Sequence, residues 1–209
     1  MRNYPECLLD PEQCVVAIID HQPQMYFAVK SAFRDCVANN AAGLANAAKL
    51  FGVPCILSTI EAAAVSGPLI AKIQSVYPQT PPIDRTNLNA WEDANFKAAI
   101  EGTGRKKVIL AGLWTEVCVT LPALSMMRDG YEVFVAVDAS AGSCKQAHKT
   151  AISRMIQAGV TPLTWQQIML EWQRDWNNKD TYNGVMSIAK EYGGTYGLSI
   201  EYVENMIKA

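Results

Sequence analysis

The sequence predicts an α/β protein: a three-layer α/β/α fold, doubly wound around a mostly parallel, six-stranded sheet. Two observations carry that prediction. Short apolar runs alternate along the chain with longer stretches of helical periodicity. The runs are apolar at nearly every position rather than at every second one. That pattern belongs to strands covered by helices on both faces.

Five strand-like runs are visible. "CVVAIID" (14–20) ends in a carboxylate, and "VPCILST" (53–59) follows the glycine that closes the first helix. "KKVILAGL" (106–113), "YEVFVAVDAS" (131–140) and "VTPLT" (160–164) complete the set, leaving the sixth strand without an assigned segment. Helical spacing covers 36–52, 67–77, 89–104, 117–130 and 145–159. Pro122 falls in the first turns of its helix, where a missing N–H costs little. Pro78, Pro81 and Pro82 mark a loop. Residues 1–170 are expected to form one domain. Residues 171–209 are read as a C-terminal helical extension packing on that domain or on a neighbouring subunit.

Half of the 209 residues are hydrophobic and 18% are charged, so the chain can build a sizeable core. The net charge of −2 gives no electrostatic footprint for nucleic acid. No apolar stretch is long enough to span a membrane, and the N-terminus does not resemble a signal peptide. A cytoplasmic protein is expected. The six cysteines, at 7, 14, 36, 55, 118 and 144, form no C-x-x-C pair. The default for each is a small buried hydrophobe, and Cys14 and Cys55 fit it well.

In doubly wound sheets, ligands bind at the carboxyl ends of strands near the topological switch point. Chemistry is therefore expected just after Asp20, Thr59, Gly112 and Asp138. Asp20 ends the first strand in "AIIDHQPQMYF" and reads equally well as a turn residue. Cys118, in "GLWTEVCVTLPA", follows a strand and opens a helix. Free N–H groups and partial positive charge at a helix start favour a thiolate and can hold an oxyanion. His148 reads as solvated in mid-helix. Strand alternation points His21 away from Asp20. "GTGRKK" follows a helix, which makes it a poor phosphate loop.

Three features in order carry a family likeness: Asp20 in "IIDHQ", a basic residue ahead of a helix in "DRTNLNAWEDANF", and Cys118 in "AGLWTEVCV". Together they resemble the isochorismatase-like superfamily of cysteine hydrolases over about residues 10–170, most closely its YcaC-related subgroup. The resemblance implies a catalytic triad of Asp20, Arg85 and Cys118. Arg85 stands where the family usually has lysine, and a guanidinium is not a proton donor or acceptor at ordinary pH. Its role is then electrostatic. A cis peptide is implied at Leu113–Trp114, with the N–H groups of Trp114 and Cys118 forming an oxyanion hole.

Gln22, Trp91, Trp114 and Thr115 are the expected pocket residues. The segment after the second strand, "LSTIEAAAVSGPL", holds Glu61 but no histidine, so neither a metal nor another cofactor is expected. The implied function is hydrolysis of a small-molecule C–N bond, of amide type, through a thioester. A catalytically altered member that binds small molecules is the alternative. An isochorismatase proper, acting on a vinyl ether, does not need the cysteine. The expected partners are a small-molecule substrate and further copies of the chain, with an octamer among the assemblies that the resemblance implies.

Overall fold

The computed structural model describes residues 8–207. The readings that fall on residues 1–7, Cys7 among them, lie outside the described residues. Six strands make one sheet: β1 (Cys14–Ile19), β2 (Cys55–Ile60), β3 (Ile83–Arg85), β4 (Lys107–Gly112), β5 (Glu132–Ala136) and β6 (Thr161–Leu163). Their order is β3-β2-β1-β4-β5-β6, and every pairing among the described residues is parallel. The sixth strand lies in the segment read as a loop. It is three residues long, too short to leave a periodic signal, and follows Pro81 and Pro82.

The helices are α1 (Pro23–Phe27), α2 (Arg34–Leu50), α3 (Ala71–Gln74), α4 (Ala94–Glu101), α5 (Thr120–Arg128), α6 (Lys145–Gln157), α7 (Trp165–Gln173), α8 (Lys179–Tyr192) and α9 (Thr195–Tyr202). The helix expected over 67–77 shrinks to the four residues of α3. The strand expected over 131–140 stops at Ala136, and one 3-10 turn, Val137–Ala139, follows it.

Strand alternation explains the two-sided core. Val16 and Ile18 face one layer, whereas Val15, Ala17 and Ile19 face the other, and all five are fully buried. On the first face the sheet meets α2 and α7, with Leu44, Trp165 and Trp172 between them. On the second face Phe96, Ile100, Ala123, Met126 and Met155 of α4, α5 and α6 pack on Val108, Leu110, Val133 and Val135. α8 lies along α2 and adds Val185, Ile188 and Ala189 to the first layer. On α9 and just beyond it, Leu198, Tyr202, Met206 and Ile207 are exposed.

β1 and β4 sit side by side at the centre, and the chain leaves them toward opposite edges of the sheet. That is the switch point, where a crevice opens at the carboxyl ends. The two strands meet very closely there. Ile19 pairs with Gly112, and a Cβ on Gly112 would stand 2.6 Å from the Ile19 carbonyl oxygen. Only glycine allows this approach, because the obstacle is backbone. Gly112→Ala is expected to destabilise the fold by about 1–3 kcal/mol, measurable as a lower urea midpoint at unchanged m-value.

Candidate active site

Each of the three residues expected to carry chemistry sits at the carboxyl edge of the sheet. Asp20 is the first residue after β1. Its N–H donates to Ser58 O at 2.9 Å and its carbonyl accepts from Gln22 N at 2.8 Å, so the chain turns at once. Its φ of +58° is left-handed, a region that Asp tolerates better than most residues. Arg85 ends β3, two strands away from β1. Its long side chain crosses the end of β2 and places Nη2 2.6 Å from Asp20 Oδ2. Both side chains are wholly buried. Arg85 Nη1 also donates to the carbonyl of Asn87, which fixes the plane of the guanidinium.

Cys118 lies after β4, inside a wide π-type turn, Thr115–Val119, that leads into α5. The peptide bond between Leu113 and Trp114, just ahead of that turn, is cis. Cys118 is 2% exposed, and its thiol interacts with the Asp20 carboxylate. Burial, then the Asp20 charge and its hydrogen bond, push the thiol up to about 12, while Arg85 pulls the other way. Burial also raises Asp20 to about 6, opposed by the Arg85 charge and by hydrogen bonds from Cys118 and Arg85. Near neutral pH the resting pair is therefore a carboxylate beside a thiol.

This direction runs against the thiolate that a helix start would favour. Dehydration and the adjoining carboxylate outweigh the partial charge of one turn. Asp20 Oδ1 and Arg85 Nε are buried without a conventional hydrogen-bond partner among the described residues.

The expected pocket residues divide. Trp114 opens the turn that holds Cys118 and is half-buried, with its indole N–H donating to Met25 O at 2.9 Å. Thr115 is in the same turn as Cys118, but it is fully buried and its hydroxyl is bonded to His148. Gln22 is not free to meet a ligand. Its amide donates to Ile60 O and Gly67 O and accepts from Ile60 N, tying the exits of β1 and β2 together. Trp91 is also displaced from the expected place. It packs edge-on against Tyr131 with centroids 5.2 Å apart, and its indole donates to Asp129. Those two residues precede β5, at the opposite end of the sheet from Cys118.

Other expectations resolve similarly. His148 is half-buried rather than solvated, with Nδ1 2.8 Å from the Thr115 hydroxyl. His21 is fully buried against the Tyr26 hydroxyl at 2.6 Å, and burial pushes it down to about 3. Asp138 accepts from Trp165 N at 2.9 Å, at the start of α7, and so serves structure. Cys36 and Cys144 are exposed, unlike the default for a core thiol. Cys144 Sγ accepts from Ala147 N and caps α6. Glu61 is exposed at φ +44°, and among the described residues no three His, Cys, Asp or Glu side chains gather as a metal site would need.

A doubly wound sheet with a cysteine, a carboxylate and a buried cation at its switch point defines a class of α/β hydrolytic enzymes. The model of the isochorismatase domain matches residues 14–167, and the chain belongs to that family. The chain is 38% identical over 175 residues to the probable hydrolase YcaC of Escherichia coli K12, covering 83% of this chain and 84% of that one. The structure of YcaC from Pseudomonas aeruginosa, with hexane-2,5-diol and covalent acrylamide, matches with a TM-score of 0.91 at 33% identity. That match covers 97% of this chain and all of that one. The Escherichia coli YcaC structure, described as an octameric hydrolase of unknown specificity, also matches at 0.91, with 34% identity, over 98% of this chain and all of that one.

Removing the cation should expose the cost of the buried carboxylate. Arg85→Met is expected to destabilise the protein by about 3 kcal/mol near pH 8. The loss should shrink near pH 5, where Asp20 is largely protonated; urea unfolding at both pH values measures the difference. The wild type has its own linkage. Asp20 is raised from 3.8 to about 6, so the folded state holds this proton longer than the unfolded state does. Its contribution to stability is complete below about pH 4 and is lost as pH rises through 6.

Proposed function

We propose that the chain is a cysteine hydrolase that cleaves a small-molecule C–N bond of amide type. The observation that carries this reading is a buried thiol against a carboxylate that a guanidinium holds at 2.6 Å, all at the switch point of the sheet. Asp20 is the base and Cys118 the nucleophile. Sulfur adds to the carbonyl carbon as its proton passes to Asp20. Negative charge gathers on the carbonyl oxygen. The N–H groups of Trp114 and Cys118 are assigned to receive it.

The intermediate then collapses. The C–N bond breaks, Asp20 returns the proton to the leaving nitrogen, and a thioester remains. Water attacks next and gives a proton to Asp20. The C–S bond breaks, the acid leaves, and sulfur regains its proton. Arg85 carries no proton in this scheme. It keeps Asp20 ionised near neutral pH, and its lowering effect on the thiol eases the charge that sulfur develops.

The acrylamide described on the Pseudomonas aeruginosa relative supports a site able to capture an electrophile. A homo-oligomer is part of the reading. One relative is described as octameric, and apolar Phe27, Phe33, Leu198, Met206 and Ile207 are exposed on the single chain. One observation favours the alternative of a binding protein with altered chemistry: the thiol is 2% exposed and pushed up to about 12.

An amide panel separates the two readings. Ammonia or amine release that disappears in Cys118→Ala is the expected result. Release that persists in that variant removes Cys118 as the nucleophile, and no release from any amide favours the binding protein. Because the base must be ionised, kcat/KM should rise with pH through about 6. Asp20→Asn should lower it by about 10²–10⁴-fold.

A further inference from the structure

His148 is a histidine that the proposed chemistry leaves unused, yet it touches the turn that bears Cys118. It stands on α6, and its Nδ1 meets the Thr115 hydroxyl at 2.8 Å. Thr115 lies between Trp114 and Cys118 and is held on every side. Its N–H donates to Ala141 O at 3.0 Å, and its carbonyl accepts from the Thr120 hydroxyl at 2.6 Å. The next residue, Glu116, is gripped by the same neighbouring segment. Its Oε1 accepts from the Ser143 N–H at 2.9 Å and from the Ser143 hydroxyl at 2.6 Å. A Cβ on Gly142 would stand 2.4 Å from Glu116 Oε2 and 3.2 Å from the His148 nitrogen. The segment from Ala141 to His148 is therefore pressed onto the turn without slack.

The turn needs such an anchor. A π-type turn lacks the regular hydrogen-bond ladder of an α-helix, so its own backbone holds it less firmly. Orientation must then come from neighbours. The other side of His148 borders an open cavity of about 570 Å³, together with Lys30 and Lys145. That opening leaves room to change the side chain without burying a void.

We infer that His148 is a positioning residue that holds, through Thr115, the backbone from Trp114 to Cys118 in the geometry that aims the thiol and the adjacent N–H groups at one point. Its purpose rests on the hydrolase reading; the anchoring itself does not. His148→Ala removes the contact. His148→Asn keeps a polar atom near the place of Nδ1.

Two readouts are needed: hydrogen exchange of peptides covering 114–119, and the rate of acrylamide addition to Cys118 by mass spectrometry. Both are taken on full-length protein whose melting temperature shows that it is folded. In His148→Ala the turn should exchange faster and labelling should slow about tenfold, and His148→Asn should recover both. Unchanged exchange in His148→Ala overturns the inference, and so does failure of His148→Asn to recover it. If wild-type Cys118 takes no acrylamide while exchange still responds as expected, the hydrolase reading falls and the anchoring stands. Should His148→Ala not fold, Thr115→Val compared with Thr115→Ser reads the same contact from its other end. Faster exchange in Thr115→Val, recovered in Thr115→Ser, is then expected, and unchanged exchange in Thr115→Val overturns the inference.

Discussion

The buried pair of Asp20 and Arg85 is the constraint on which the site depends. Two opposite charges lie wholly out of water, 2.6 Å apart. Dehydrating them is costly, and their attraction offsets that cost only while the geometry holds. Much of the surrounding structure serves that geometry. The turn at Asp20 is set by the bonds to Ser58 and Gln22. The guanidinium plane is set by Asn87. Gln22 binds the exits of β1 and β2, over which Arg85 must reach. The pair also decides how the cysteine rests. In the proposed reaction, a thiol beside a carboxylate has its base in place and is activated when the proton moves rather than before.

The site also depends on how near its two halves lie. β1 leads to Asp20 and β4 leads to Cys118, and Gly112 lets the two strands approach to backbone contact. The turn beyond β4 is then held by α6 and the segment before it, an element that supplies no proposed reacting group. Carboxylate, thiol and support thus come from separated parts of the chain. Their convergence follows from one topological fact, the opposite departure of the chain from β1 and β4.

Much of the architecture is legible in the sequence because it rests on local patterns. Runs such as "CVVAII" are apolar throughout because both faces are covered, and that shows without a structure. Asp20 and Cys118 are legible because a strand end is a privileged position. The misjudged residues are those whose role depends on distant partners. Gln22 looks like a pocket residue until Ile60 and Gly67 take up its amide. Trp91 is near Arg85 in sequence but packs toward the far end of the sheet. β3 leaves no periodic trace in three residues.

The sequence by itself determined the layered parallel fold, the family, and the positions where chemistry could stand. Periodicity, strand ends and a run of matched residues are properties of the chain read in order. The tertiary structure alone decided that Arg85 reaches across the end of β2 to Asp20, that burial and the Asp20 carboxylate push the Cys118 thiol upward, and that His148 meets the turn that holds Cys118. Each of these follows from burial and from contacts between residues far apart in the chain. Dehydration and charge act through space, and sequence order does not record which groups share it.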